Sequence, residues 1–149
     1  MYFCECKDDT ALPKTMLHTA ITLATIDDVE QIMKLRSNIE EFPQTGQSEK
    51  ILRQSLEANT GRTYYIEKKG EIISSASTSA ENSLSAMVVG VCTHSNYRVK
   101  GYASLILQKM IQDFIKEGRT LCLFYNNPAA GWIYKRLGFK DIGMWTMYR

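Results

Sequence analysis

Two apolar segments that flank one long amphipathic segment constrain the fold of this chain more than any other feature. Ser85–Thr93 (SAMVVGVCT) and Thr120–Tyr125 (TLCLFY) have the length and apolar character of buried strands. Between them, apolar residues recur at helical spacing until Gly118 ends the pattern; they are Ala103, Leu107, Met110, Ile111 and Phe114. Because parallel neighbours need such a crossover, we expect the two strands to be parallel and central in a sheet.

Two helices are predicted upstream of these strands. Thr25 and Asp28 have the spacing of a capping box and predict a helix whose apolar face carries Val29, Ile32, Met33 and Ile39. A second helix is expected over Ser48–Asn59, with four side chains facing inward: Ile51, Leu52, Ser55 and Leu56.

The other elements follow from shorter patterns. Strand-like runs cover residues 20–25, 62–67, 71–80 and 141–149, and a short helix begins at Pro128 and ends near Gly138. The run KKG, residues 68–70, suits a short hairpin connection between the second and third strands, with a glycine available for a positive φ. The predicted order is strand, two helices, three strands, helix, strand, helix, strand, which is an α/β fold with a mixed sheet (α+β).

The length of the chain favours a single domain. With 149 residues, of which 44% are hydrophobic, the chain has enough apolar side chains for one sizeable core. Residues 1–19 are polar and mixed, contain Pro13 and show no clear period. We therefore expect a flexible N-terminal tail over residues 1–19 and one domain over residues 20–149.

Charge and cysteine content exclude several classes of function. The 18 basic and 16 acidic residues give a net charge of +2, which is too weak to favour nucleic acid or an anionic membrane as a partner. No apolar run approaches the roughly 20 residues that span a bilayer, and the start of the chain lacks a secretory signal pattern, so we expect a cytoplasmic protein. Cys4 and Cys6 lack the second ligand pair of a zinc site, so no metal is expected.

A loop with basic residues separates the first central strand from the helix. The stretch THSNYRVKGYAS, residues 93–104, places Gly101 directly before the helix, with Arg98 and Lys100 beside it. Free N–H groups at a helix N-terminus favour an anion, and glycine permits close approach of a phosphate to the backbone. The loop lacks the glycines of the dinucleotide fingerprint and of the Walker loop, so a different phosphate-bearing ligand is indicated.

Two motifs together carry a family resemblance. Residues 98–103 (RVKGYA) match R-x-x-G-x-[GA], and NPAAGWIYKRLGF has the second pattern through Asn127, Ala130, Tyr134, Gly138 and Phe139. This pair, separated by one helix and one strand, resembles the GNAT superfamily of acyl-CoA N-acyltransferases. The resemblance covers residues 21–149 and implies a GNAT-like fold whose central strands splay around the acyl-CoA.

The resemblance also implies a binding site and a reaction. Acetyl-CoA is the implied co-substrate, and a small-molecule or peptide amine is the acceptor, in a monomer or homodimer. The implied contacts of the pyrophosphate, the pantetheine arm and the rest of the coenzyme A side are Val91, Cys92, Thr93, Arg98, Val99, Lys100, Gly101, Tyr102, Ala103, Ser104 and Asn127.

The chemistry needs an acid for the leaving thiolate and a base for the amine. Tyr134 matches the tyrosine that protonates the thiolate in relatives; outside the motif its helical stripe would mark it as a core residue. For the base, Glu81 at the end of the preceding strand is the nearest candidate, because the strand over residues 85–93 contains no ionisable carboxylate. His94 is another candidate base, although its position near Arg98 indicates a role in the loop, and a water chain that ends at a backbone carbonyl is a further alternative.

Two other functions compete with this interpretation. Cys92 and His94 lie two residues apart on one strand face and could form a thiol nucleophile and its base. The missing strand carboxylate instead suits a non-catalytic acyl-CoA-binding module, or the C-terminal part of a larger acyltransferase. Glu40, Glu41 and Glu49 either favour a cationic acceptor or are solvated charges at helix ends.

Overall fold

The computed structural model describes residues 2–12, 20–37, 46–79, 81–98, 101–125 and 128–144. These residues form a seven-stranded mixed sheet with four α-helices. The strands are β1 (Tyr2–Cys6), β2 (Thr22–Leu23), β3 (Thr63–Lys68), β4 (Glu71–Ser79), β5 (Ser85–Thr93), β6 (Thr120–Tyr125) and β7 (Lys140–Met144). The helices are α1 (Val29–Ser37), α2 (Gly46–Ala58), α3 (Tyr102–Lys116) and α4 (Pro128–Arg136).

The sheet has the strand order β2-β3-β4-β5-β6-β1-β7. The pair β5–β6 is parallel, and the other five pairs that the structure describes are antiparallel. Since α3 joins β5 to β6, the expected parallel pair at the centre of the sheet is confirmed.

Helices cover both faces of the sheet. One apolar cluster packs α1 and α2 against Tyr65, Ile72 and Cys92 of the strands. A larger cluster packs α3 and the segment after α4 against the opposite side chains of the central strands, including Ala86 and Val88. Alternation along each strand therefore gives the sheet an α1 face and an α3 face, named here for the helices that cover them.

The N-terminal segment differs from the sequence expectation. Residues 2–6 are the strand β1, which pairs with β6 on one side and with β7 on the other, whereas a flexible tail was expected. Cys4 and Cys6 alternate inward and are buried, which supplies the apolar contacts that hold the segment in the sheet. The polar run Lys7–Asp9 that follows β1 obscures this short period of two.

Several local predictions can be compared with the structure. The capping box of Thr25 and Asp28 is confirmed, and it opens a 3-10 turn over Ile26–Asp28 that leads into α1. The hairpin turn is confirmed by positive φ angles at Lys69 and Gly70. The inward orientation of Ile51 is wrong: the side chain is 57% exposed, and Leu52 supplies the buried contact of that turn.

Some predictions fall outside the described residues, namely Ile39 and the part of the last strand over 145–149. Within the described ranges, no helix has the length and apolar character that a membrane crossing requires.

Candidate active site

The central parallel pair opens into a gap. β5 and β6 are paired only at Ser85–Thr120, Ala86–Leu121 and Met87–Cys122. β5 continues for six residues beyond Met87, about 20 Å of strand, and in the described residues this stretch has no ladder with β6. Backbone groups on that edge of β5 are therefore free to bind a ligand.

A bulge lies in the open part of β5. Ser77 of β4 pairs with Val89 and Ser75 pairs with Cys92, so Gly90 and Val91 together face the single residue Ala76. Gly90 has φ +63°, a conformation that glycine adopts without strain. The bulge redirects the backbone at the point where the gap has opened.

The expected pantetheine contacts, Val91, Cys92 and Thr93, all lie in the part of β5 that is not paired with β6. The Cys92 carbonyl accepts a hydrogen bond from Ser74 Oγ at 3.1 Å, and the Thr93 carbonyl accepts one from Arg98 Nε at 3.2 Å. The Thr93 carbonyl retains a second lone pair for a ligand donor, whereas the Cys92 carbonyl faces β4.

The loop before α3 has the geometry of an anion site. Gly101 is the N-cap residue in the left-handed region, with φ 80° and ψ 12°, and no side chain caps the helix. The N–H groups of Tyr102, Ala103 and Ser104 have no helical partners, because the first helical bond runs from the Leu105 N–H to the Gly101 carbonyl. Among the described residues, no atom lies within 4 Å of the position that a Cβ at Gly101 would take.

These features fit a pyrophosphate, because first-turn N–H groups and the helix dipole converge on one open point. Arg98 is exposed beside them. The other two expected loop contacts, Val99 and Lys100, lie outside the described residues, as does Asn127.

Tyr134 lies at the far end of β6. Its ring packs against Tyr125, the last residue of β6, with centroids 5.6 Å apart, and against Phe139 at 6.0 Å. Helix α4 approaches β6 closely at Gly131, where a Cβ would lie 2.5 Å from the Tyr125 ring. Burial raises the pKa of Tyr134 above its usual value, so the phenol keeps its proton at neutral pH.

Glu81, the residue expected to be the general base, lies in a network of ion pairs. Its carboxylate forms ion pairs with Arg119 at 2.8 Å and with Arg62 at 3.6 Å, next to Glu117 after the C-terminal end of α3. The loop at Gly101 is at the other end of this 15-residue helix, which spans about 22 Å. A base must reach the amine directly or through one water, and Glu81 is instead committed to a network of ion pairs.

The thiol and the imidazole of the competing interpretation are not coupled. His94 Nδ1 accepts a hydrogen bond from the Asn96 N–H at 3.1 Å, which caps the short turn Ser95–Tyr97 and agrees with a loop role. The buried Cys92 thiol contacts Ser75 Oγ at 3.4 Å, and burial raises its pKa, which disfavours the reactive thiolate. In the described part of the chain, no group of three His, Cys, Asp or Glu side chains could hold a metal.

Sequence reasoning missed Arg36, which lies over the bulge of β5. Its Nη2 donates to Ser77 Oγ at 3.1 Å, and a Cβ at Gly90 would lie 3.1 Å from the same Nη2 atom. The signal was present, because Arg36 falls at helical spacing after Val29 and Ile32 on the apolar face of α1. A glycine within an apolar strand was the second signal, since it marks a bulge or a close approach.

The family of the chain follows from its sequence. The family model of GNAT acetyltransferase matches residues 14–148. The chain therefore belongs to the GNAT acetyltransferase family, and the resemblance seen in its two motifs is confirmed. No curated protein shows a significant match to the sequence.

Solved structures share the fold. A GNAT-family acetyltransferase from Novosphingobium aromaticivorans has TM-score 0.73 and 23% identity over 93% of this chain, which spans 58% of that protein. An acetyltransferase from Clostridium acetobutylicum, solved with acetyl-CoA, has TM-score 0.72 and 16% identity over 88% of this chain and 96% of its own. AAC(6')-Iy, solved with the bisubstrate analogue CoA-S-monomethyl-acetylneamine, has TM-score 0.72 and 16% identity over 89% of this chain and 98% of its own.

Proposed function

We propose that this protein transfers an acetyl group from acetyl-CoA to a primary amine by direct attack of the amine on the thioester. One observation carries the proposal: the parallel ladder of β5 and β6 ends at Met87–Cys122, and the open edge leads to the uncapped N-terminus of α3. A gap of this kind admits an extended ligand arm, while the helix N-terminus favours the phosphates at the end of that arm.

Each part of the site has a proposed role. Gly101 and the first-turn N–H groups of residues 102–104 bind the pyrophosphate, with Arg98 as a charged donor. Val99, Lys100 and Asn127 are proposed to add contacts on the same side. The open edge of β5 over Val91–Thr93 binds the pantetheine arm.

Acetyl-CoA, when bound, supplies the activated acetyl group. Backbone groups beside the bulge of β5 donate hydrogen bonds where negative charge develops on the carbonyl oxygen. Tyr134 gives its phenolic proton to the leaving sulfur, a role that its raised pKa supports because the phenol stays protonated.

Deprotonation of the amine is proposed to proceed through water. The residues of β5 beyond Met87, 88–93, contain no carboxylate, and the candidate Glu81 is held in ion pairs with Arg119 and Arg62. Water bound to strand carbonyls at the gap then carries the amine proton to solvent.

The test is the release of free thiol from acetyl-CoA in the presence of a panel of amines. We expect Tyr134→Phe to lower kcat by at least about tenfold with little change in KM for acetyl-CoA, because the acid acts only in the transition state. Tyr64→Phe is the matched control. The Tyr64 hydroxyl donates a hydrogen bond to Asp113 of α3, so this variant should retain kcat. Equal turnover by wild type and Tyr134→Phe would refute the role of Tyr134.

A second candidate function is a non-catalytic acyl-CoA-binding module. The position of Glu81 favours it, because the described strand residues at the gap are then without a carboxylate base. Thermal unfolding with acetyl-CoA distinguishes the two functions. A rise in Tm with acetyl-CoA, without thiol release for any amine in the panel, would identify the binding module.

A further inference from the structure

Arg36 carries a positive charge that the described protein groups do not balance. Its one described hydrogen bond goes to a neutral hydroxyl, Ser77 Oγ. Its Nε is buried and has no hydrogen-bonding partner in the described part of the chain. Because a guanidinium stays protonated in proteins, this side chain brings a charge into the interior with little compensation.

The other three partly buried arginines of the described residues show a different pattern. Arg62 pairs with Glu117 at 2.6 Å, Arg119 pairs with Glu81 at 2.8 Å, and Arg53 pairs with Glu49 at 2.8 Å. No ion pair to Arg36 occurs within those same ranges of the chain. An anion supplied from outside the described residues would complete its coordination.

The charge lies at the gap and on a defined face of the sheet. Val89 pairs with Ser77 and so shares the face of Arg36; its side chain is 38% exposed. Val88 points to the opposite face, where it is buried in the cluster under α3. The α1 face of the sheet is thus exposed at Val89, next to the bulge that Arg36 covers.

The distance between the charge and the expected chemistry is short. The guanidinium nearly contacts Gly90, and Val91, the next residue, belongs to the edge proposed to hold the thioester arm. An acid group bound by Arg36 must therefore belong to the same small molecule as an amine only a few bonds away. The planar guanidinium suits a carboxylate, which it binds through two parallel hydrogen bonds.

We propose that Arg36 binds the carboxylate of the acceptor, and that the acceptor is a small amino acid-type amine with its acid group next to its amino group. This inference rests on the proposed acetyl transfer and names its substrate class. It differs from a cationic acceptor, for which Glu49 was one candidate anchor, because Glu49 is already paired with Arg53. Glu40 and Glu41 lie outside the described residues.

The experiment compares amino acids with their own carboxamides as acceptors, at saturating acetyl-CoA. Wild type should prefer the carboxylate by at least about tenfold in kcat/KM calculated per neutral amine, the value of one charge-assisted contact. Arg36→Gln should lower kcat/KM for the carboxylate more than for the carboxamide, so that the ratio of the two falls to about one. Arg36→Lys should retain part of the preference, because lysine keeps the positive charge but cannot form the two parallel hydrogen bonds of a guanidinium.

Arg53→Gln is the matched control, since it removes an arginine of α2 that is paired with Glu49, and it should leave the carboxylate preference unchanged. A wild-type enzyme without this preference, or an Arg36→Gln variant that keeps it, would overturn the inference. If Arg36→Gln does not fold, the wild-type ratio and its decrease in Arg36→Lys decide the question.

A binding readout separates this inference from the proposed function. N-acetylated amino acids, added with coenzyme A, should raise the Tm of wild type more than their carboxamides do, and Arg36→Gln should remove the difference. If no amine is acetylated but this difference is present, acetyl transfer fails and the carboxylate site stands. If amines are acetylated without any carboxylate preference, the transfer stands and the role of Arg36 fails.

Discussion

Gly90 links the backbone of the candidate site to its buried charge. Its positive φ lets β5 bulge between Val89 and Cys92, and the missing side chain lets the Arg36 guanidinium lie against the strand. A single residue thus permits both the redirected backbone at the gap and the position of the cation. Its replacement should affect both.

Gly90→Ala should destabilise the protein by about 2 kcal/mol, because a side chain is strained at φ +63° and its Cβ would lie 3.1 Å from Arg36 Nη2. Urea unfolding measures the change. Gly143→Ala is the matched control, since a Cβ there meets nothing within 4 Å and φ is not positive, and it should change stability by less than about 0.5 kcal/mol. Equal effects of the two variants would refute the strain at the bulge.

Glu81 should contribute to stability and not to catalysis. Its side chain is 9% exposed and pairs with Arg62 and Arg119, so Glu81→Gln leaves two partly buried cations short of a carboxylate. We expect a loss of about 2 kcal/mol in the free energy of unfolding and a kcat within about twofold of wild type.

Glu49→Gln is the control for this variant, because the Glu49–Arg53 pair is exposed on a helix and should cost less than about 0.5 kcal/mol. Unfolding curves and thiol-release rates on the same samples measure both quantities. A hundredfold loss of kcat with unchanged stability would restore Glu81 as the base.

At the scale of elements, β1 completes the half of the sheet beyond the gap. It lies between β6 and β7, and its rings stack on those of β6: Tyr2 on Tyr125 at 5.1 Å and Phe3 on Phe124 at 4.6 Å. Since Tyr125 also packs against Tyr134, the N-terminal strand supports the residue proposed as the acid. A segment expected to be loose is part of the framework of the site.

The burial of β1 predicts low reactivity of its cysteines. Cys4 and Cys6 are 1% and 0% exposed, and burial raises the pKa of Cys4 to about 12 and that of Cys6 to about 11. At pH 8 their alkylation by iodoacetamide should therefore be at least about 100-fold slower in the folded protein than in urea. Peptide mass spectrometry measures each rate, and the partly exposed Cys122 is the internal comparison. Rapid alkylation of Cys4 and Cys6 in the native state would support the flexible tail instead.

Elements with a long period were predictable from the sequence, and those that depend on tertiary pairing were not. α3 and the strands beside it follow from apolar spacing over many residues, and their bounds agree with the structure at Ser85–Thr93 and Thr120–Tyr125. β1 has only five residues, and its burial depends on partners more than 100 residues away in the chain. Single-sequence patterns carry no information about such pairs.

The candidate site divides in the same way. The phosphate loop is local, so its glycine and basic residues were recognisable from spacing alone. The role of Arg36 depends on a contact between α1 and the bulge of β5. The role of Glu81 depends on its ion pair with Arg119, and these two residues lie just after the C-terminal ends of β4 and α3. Glu81 is close to β5 in the sequence, but in space it lies beside Arg119, and its position in the sequence does not indicate this ion pair.

At the scale of the whole molecule, the two faces of the sheet have separate proposed roles. The N-terminus of α3 and Tyr134 pack with one cluster and serve the coenzyme side, while Arg36 and the exposed Val89 lie on the other face and serve the acceptor. The two substrates then meet through the gap between β5 and β6. This arrangement suits direct transfer, because neither substrate has to leave before the other binds.

The proposed proton path predicts a pH dependence set by the acceptor. If water removes the amine proton, kcat/KM should rise with pH up to the pKa of the amine itself, because only the neutral amine attacks. The α-amine of a peptide has a pKa of about 8 and a lysine-type amine about 10.4, so the rising limb should move by about 2.5 pH units between two such acceptors. Tyr134 must stay protonated, and because its pKa is raised, activity should be lost only above about pH 10.

Rates of thiol release from pH 5 to 11, with each acceptor below its KM, measure both limbs. Tyr134→Phe is the control for the falling limb, because it removes the phenol that ionises. Its low activity should not decline further above pH 10. The rising limb should be the same in this variant as in wild type. A rising limb at the same pH for both acceptors would instead identify a protein base, with His94 the first residue to substitute, because its imidazole lies directly after β5.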